Sequence, residues 1–146
     1  MEFRQFIETS EHVMKDVRQT LKKIPKKHSA LIKGWKYKFQ DGNGLKGDVE
    51  HIGYMDRAKK NITVASPWNY GRQYAFLHEI GHVVWENLVT DELKKEWTKI
   101  VKNTKEPKQN QSLEELFCMA YANTYAKNKI VIHDHEEWDK FIKKLP

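Results

Sequence analysis

Tyr74-Ala75-Phe76-Leu77-His78-Glu79-Ile80-Gly81-His82-Val83-Val84-Trp85 is the stretch on which the reading of this 146-residue chain turns. It holds His78-Glu79-Ile80-Gly81-His82, the pattern H-E-x-x-H, with apolar residues on both sides. Residues four apart on an α-helix lie above one another on one face. Two imidazoles so placed can take two corners of a tetrahedral zinc site, and the glutamate between them can act on a metal-bound water. Leu77, Val83 and Val84 give the expected helix a buried side. Gly81 costs a helix about 1 kcal/mol relative to alanine, so it needs a packing or access reason. The motif helix is expected from about Arg72 to Leu88, after the break at Pro67-Trp68-Asn69-Tyr70-Gly71.

A catalytic zinc takes three protein ligands and leaves its fourth position to water. The H-x-x-G-x-x-H extension is absent after His82, so the third ligand must come from another element; Glu114, Glu115, His133, Asp134 and His135 are the candidates. Ser112-Leu113-Glu114-Glu115 reads as an S-x-x-E capping box opening a helix that continues to Ala126. The two glutamates lie about 100° apart on that helix, so only one is expected to face the metal, and periodicity leaves open which. The other is an ordinary exposed first-turn carboxylate favoured by the helix dipole. Cys118 reads as a small buried residue ahead of a ligand. His133-Asp134-His135-Glu136-Glu137 reads as a polar helix start ahead of a second metal site. His12, His28 and His51 have no partner at ligand spacing.

Upstream of the motif, the apolar residues Phe3, Phe6, Ile7, Val13, Met14, Val17, Leu21 and Ile24 recur at helical spacing, predicting an amphipathic helix from about Glu2 to Ile24 that ends near Pro25. Ala30-Leu31-Ile32 and the alternating Gly34-to-Phe39 run read as strand. Val49 to Met55 and Ile62-Thr63-Val64-Ala65 read as two more strands. Asp41-Gly42-Asn43-Gly44 marks a hairpin or a loop at a sheet edge. Downstream, Asp91 to Lys102 and about Glu136 to Leu145 are periodic and expected to be helical, with a surface loop at Asn103 to Gln111. The fold class is therefore α+β: an N-terminal helix, a three- or four-stranded sheet, the H-E-x-x-H helix and a C-terminal helical part carrying the third ligand.

One domain over residues 1–146 is the expectation from length. The aromatic content of 12% argues against disorder. No apolar run has the length of a membrane span, and the N-terminus lacks the layout of a signal peptide. The single cysteine, Cys118, excludes an internal disulfide and fits a reducing compartment. Cytoplasmic residence is expected, or secretion without a recognisable signal. The net charge of +6 resides in residues 1–60, which hold 14 Lys/Arg and 8 Asp/Glu. Its densest part, Lys22 to Lys38, reads as a solvated basic face more readily than as a nucleic-acid surface.

Helix His78-Glu79-Ile80-Gly81-His82-Val83-Val84, a polar spacer and Glu115-Leu116-Phe117-Cys118-Met119-Ala120-Tyr121 together resemble the gluzincin-type protease domain of anthrax lethal factor. The layout is also similar to related small zinc peptidases, including the Pro-Pro endopeptidases, and to phage- and element-borne peptidases that cut repressors. The resemblance spans roughly Gly71 to Ala126. It implies a zincin-like fold, zinc held by His78, His82 and Glu115, and Glu79 as general base. It further implies a zinc-dependent endopeptidase acting on a protein or peptide substrate; such a substrate is expected to lie extended beside an edge strand of the residue 30–66 sheet, pairing by main-chain hydrogen bonds. The family's oxyanion-stabilising tyrosine, seven residues before the ligand glutamate, is replaced here by Lys108. Lys108, His133, His135, Tyr70 or Tyr74 would have to take its place. Met119 stands where relatives often carry an acidic residue that orients the ligands. The alternative expectation is a catalytically weak or inactive zinc-stabilised binding protein of the same fold.

Overall fold

The computed structural model describes residues 11–40, 53–65, 71–104, 111–126 and 135–146. Among them are six helices and a small sheet: α1 (Glu11–Lys23), α2 (Lys26–Ala30), β1 (Lys36–Gln40), β2 (Gly53–Asp56), β3 (Asn61–Ala65), α3 (Gly71–Leu88), α4 (Asp91–Lys102), α5 (Leu113–Tyr125) and α6 (His135–Lys143). The class is α+β and mostly helical, as the periodicity implies.

One expectation needs correction. Ala30-Leu31-Ile32 is not strand. Pro25 opens a short helix, its carbonyl accepting from His28 N (2.9 Å) and Ser29 N (3.1 Å), and Ala30 ends it. Leu31 to Gly34 form a turn, and Gly34 at φ 85° supplies the left-handed backbone that reverses the chain before β1. Ile32 is still buried, but from a turn. Among the described strands, β1 and β2 lie on opposite sides of β3, in the order β1-β3-β2. β1 runs parallel to β3, with Tyr37 opposite Ile62, and β2 runs antiparallel to it, with Met55 opposite Ile62. The hairpin in this sheet joins β2 to β3 through Arg57–Lys60, where Asp56 Oδ1 accepts from Lys59 N (3.1 Å). The predicted beginning of the first helix, residues 2–10, the turn Asp41–Gly44 and residues 49–52 lie outside the described residues.

α3 is the axis of the molecule. Tyr74, Ala75, Phe76, Leu77, Ile80, Val83, Val84 and Trp85 are all buried, because the sheet, α1 and α5 each cover part of its circumference. Tyr37 of β1 meets Phe76 edge-on at 5.9 Å. The broadest helix–helix contact is between α3 and α5. Behind α5, Trp97 of α4 stacks among Phe117, Trp138 and Phe141, and its indole N–H donates to Leu113 O at 2.9 Å. That bond ties α4 to the first turn of α5. His28, given no role by spacing, is fully buried between Tyr121 Oη (2.9 Å from Nδ1) and Pro146 O (2.8 Å from Nε2). Its partners stand 93 and 118 residues away in sequence. Among the described residues no helix is long and apolar enough to cross a membrane.

Candidate metal centre

Ser112 caps α5, its hydroxyl accepting from Glu115 N at 3.0 Å. The reciprocal half of a capping box would send the Glu115 side chain back to the start of the helix. Here that carboxylate is turned toward α3: Glu115 Oε2 lies 3.1 Å from His78 Nε2 and 3.4 Å from His82 Nε2. The two imidazoles, one turn apart, have ring centroids 5.4 Å apart at 72°. Cys118, one turn after Glu115, adds its sulfur: ligand atoms of His78, His82, Glu115 and Cys118 all lie within 4.8 Å of one another. This donor group can hold a metal ion.

Both glutamates of α5 take part, which corrects the expectation that one would be a plain exposed carboxylate. Glu114 Oε2 is 2.7 Å from His82 Nδ1, while Glu115 addresses the Nε2 side of the same ring. An angle of about 100° between two helix positions does not separate their targets when an imidazole lies across both. Glu114 has the geometry of the outer carboxylate that holds a metal-ligating histidine in place. It thereby supplies an acidic partner of the kind that Met119, a residue packed against the core, cannot. His78 Nδ1 is buried with no hydrogen-bond partner.

The electrostatics follow from proximity. Glu79 is only 6% exposed. Burial raises its pKa, and Glu115 adds to that, while His78, His82 and Arg57 pull it down. Burial opposes charge on His82, yet the hydrogen bonds to Glu115 and Glu114 outweigh it and lift the imidazole to about 9. Hydrogen bonds from His78 and then His82 hold the Glu115 carboxyl far below the usual range. Burial, aided by the surrounding glutamates, pushes the Cys118 thiol up. A metal ion would sit where these donors converge, and an N, N, O, S donor set suits zinc.

Gly81 has its packing reason here. A Cβ at Gly81 would fall 3.1 Å from Cys118 Cα, so α3 and α5 lie close together at this position between the two histidines. Sequence reasoning also missed Arg57, on the β2–β3 turn. Its Nε donates to Glu86 Oε2 at 2.9 Å and a second guanidinium N–H reaches Glu86 Oε1, pinning the turn to α3 one turn beyond His82. No spacing rule links residues 57 and 86; the only signal was the presence of opposite charges. Tyr74 is buried with its ring 6.5 Å from that of His78. Lys108, His133, Asp134, Trp68 and Tyr70 lie outside the described residues, and of His135 only its place at the start of α6 is described.

Fold and site together define a mixed, mostly helical α+β chain whose two central helices present a metal-capable group of two histidines, a glutamate and a cysteine. No protein-family model matches the chain, and no curated protein or solved structure is measurably similar to it.

Proposed function

We propose that this chain is a zinc-dependent endopeptidase of zincin-like fold, with His78, His82 and Glu115 holding the ion and Glu79 acting as general base. The observation that carries the reading is the convergence of His78 Nε2 and His82 Nε2 on Glu115 Oε2, at 3.1 and 3.4 Å, with Glu79 buried on the same helix between them. When bound, zinc supplies Lewis-acid chemistry, polarising the scissile carbonyl and acidifying a water. The chain's own residues do the rest. The Glu79 carboxylate accepts a proton from the attacking water and later delivers it to the leaving amine. Its raised pKa suits a group that must hold that proton between the two transfers. Glu114 keeps the His82 ring oriented through Nδ1.

The substrate is a protein or peptide, lying extended along β2. Among the described residues that strand pairs only with β3, and main-chain hydrogen bonds along a sheet edge are a common mode of peptide recognition. The turn after β2 meets α3 through the Arg57–Glu86 ion pair, one turn beyond His82, which favours β2 over β1 for that role.

Bound zinc and cleavage of a peptide library, measured for wild type and Glu79→Gln, test the reading. Cleavage should fall by at least about a hundredfold in the variant while the zinc content stays the same. One observation favours a second reading, a zinc-stabilised binding protein: Cys118 offers a fourth protein donor, and closed four-ligand sites are structural. Full zinc with no cleavage by either protein would select it.

A further inference from the structure

Glu115 and Cys118 are three residues apart on α5 and therefore share a face of that helix. The Cys118 sulfur belongs to the group of ligand atoms that lie within 4.8 Å of one another. Independently, a Cβ on Gly81 would stand 3.2 Å from that sulfur and 3.1 Å from Cys118 Cα. The motif helix thus carries no side chain at the position between its histidines where one would push the sulfur out of the group.

We propose that Cys118 is the fourth protein donor of the metal centre, so that the chain itself closes a coordination shell that a hydrolase keeps open. The proposal rests on the reading of His78, His82 and Glu115 as metal ligands. Two histidines, a carboxylate and a thiolate make a complete tetrahedral set, whereas catalytic zinc keeps one place for water. On binding, a sulfur–metal bond forms, the S–H bond breaks and the proton leaves to solvent, because thiols bind metals deprotonated. The donor set itself is balanced: a divalent ion against one carboxylate and one thiolate is neutral, and the ion offsets the nearby glutamates that otherwise oppose a thiolate. Neutrality matters where Cys118 is wholly buried, since uncompensated charge is costly to bury. The sulfur then acts as a latch, and peptide hydrolysis requires it to move off the ion.

The test is optical and independent of turnover. The protein is loaded with Co2+ and the bound metal counted by elemental analysis. Cys118 is the chain's one cysteine, so a thiolate-to-cobalt charge-transfer band in the near ultraviolet has a single source. Wild type should bind one equivalent and show the band. Cys118→Ser and Cys118→Ala should lack it, bind cobalt at least about tenfold more weakly, and release about one proton fewer per ion. One equivalent of cobalt in wild type without the band overturns the proposal and leaves the His78, His82 and Glu115 site standing. Failure of the wild type to bind cobalt at all overturns both. The wild-type spectrum decides the matter even if a variant fails to fold.

Discussion

Both ring nitrogens of His82 are committed, and to different glutamates. A carboxylate accepts, so the 2.7 Å contact between Glu114 Oε2 and His82 Nδ1 keeps a hydrogen on Nδ1. With its pKa raised to about 9, the metal-free ring carries a second hydrogen on Nε2 at neutral pH, beside Glu115. A metal has to displace only that second proton, and Glu114 retains the first. Glu114→Gln should therefore weaken zinc binding by about 10- to 100-fold, the usual effect of losing an outer partner. Glu115→Gln should lose stoichiometric zinc altogether. Competition against a chelating dye measures both; an unchanged affinity in Glu114→Gln would mean that the contact does not orient the ligand.

At the scale of elements, the contact of α3 with α5 depends on one missing side chain. Gly81→Ala should gain roughly 1 kcal/mol of helix propensity. Against this, its methyl meets the backbone of α5 at 3.1 Å, and forcing extra volume into a packed interface costs about 1–3 kcal/mol. The variant should denature at lower urea than wild type, and metal affinity should fall with it as the donors spread. A higher midpoint would show that α5 can retreat freely. This interface also marks where sequence reasoning succeeds and stops. The periodic runs of α3 and α4 fix their own limits to within a residue, because apolar spacing is a property of one element. Alternation in β1 and the β-branched run in β3 show that they are strands but say nothing of partners, so the parallel pairing was invisible. Leu31 and Ile32 are as apolar as a strand but pack against the core from a turn, a distinction that depends on Pro25 and Gly34 more than on the residues themselves. His78, Glu79 and His82 were legible from spacing alone and Glu115 through a family resemblance. Glu114 was not, because its target depends on how two helices cross.

For the molecule as a whole, His28 is the joint that sequence could not reveal, since it connects α2, α5 and the residue at 146. Pro146 O can only accept, so Nε2 donates to it and the neutral ring's Nδ1 accepts from the Tyr121 hydroxyl. Burial lowers the imidazole pKa below its ordinary 6.5; the Pro146 contact raises it in part and Lys27 lowers it further. The unfolded chain therefore binds this proton more readily than the folded one. The resulting stability is complete above pH 6.5 and is lost as pH falls from there through the lowered folded value. Urea midpoints at pH 7.5 and at about 5.5 should differ more for wild type than for His28→Gln. Equal differences in the two proteins would place the acid sensitivity elsewhere.

The burial of a lone thiol under the motif helix also turns the protein into a clock for its own breathing. A reagent such as an aromatic disulfide cannot reach Cys118 while α3 and α5 stay together. The rate of colour development thus counts excursions in which the two helices part. If those excursions are as rare as complete unfolding, labelling will slow in step with global stability across a urea series. If the interface opens on its own, the rate will level off at low urea, and the plateau gives the free energy of that local event.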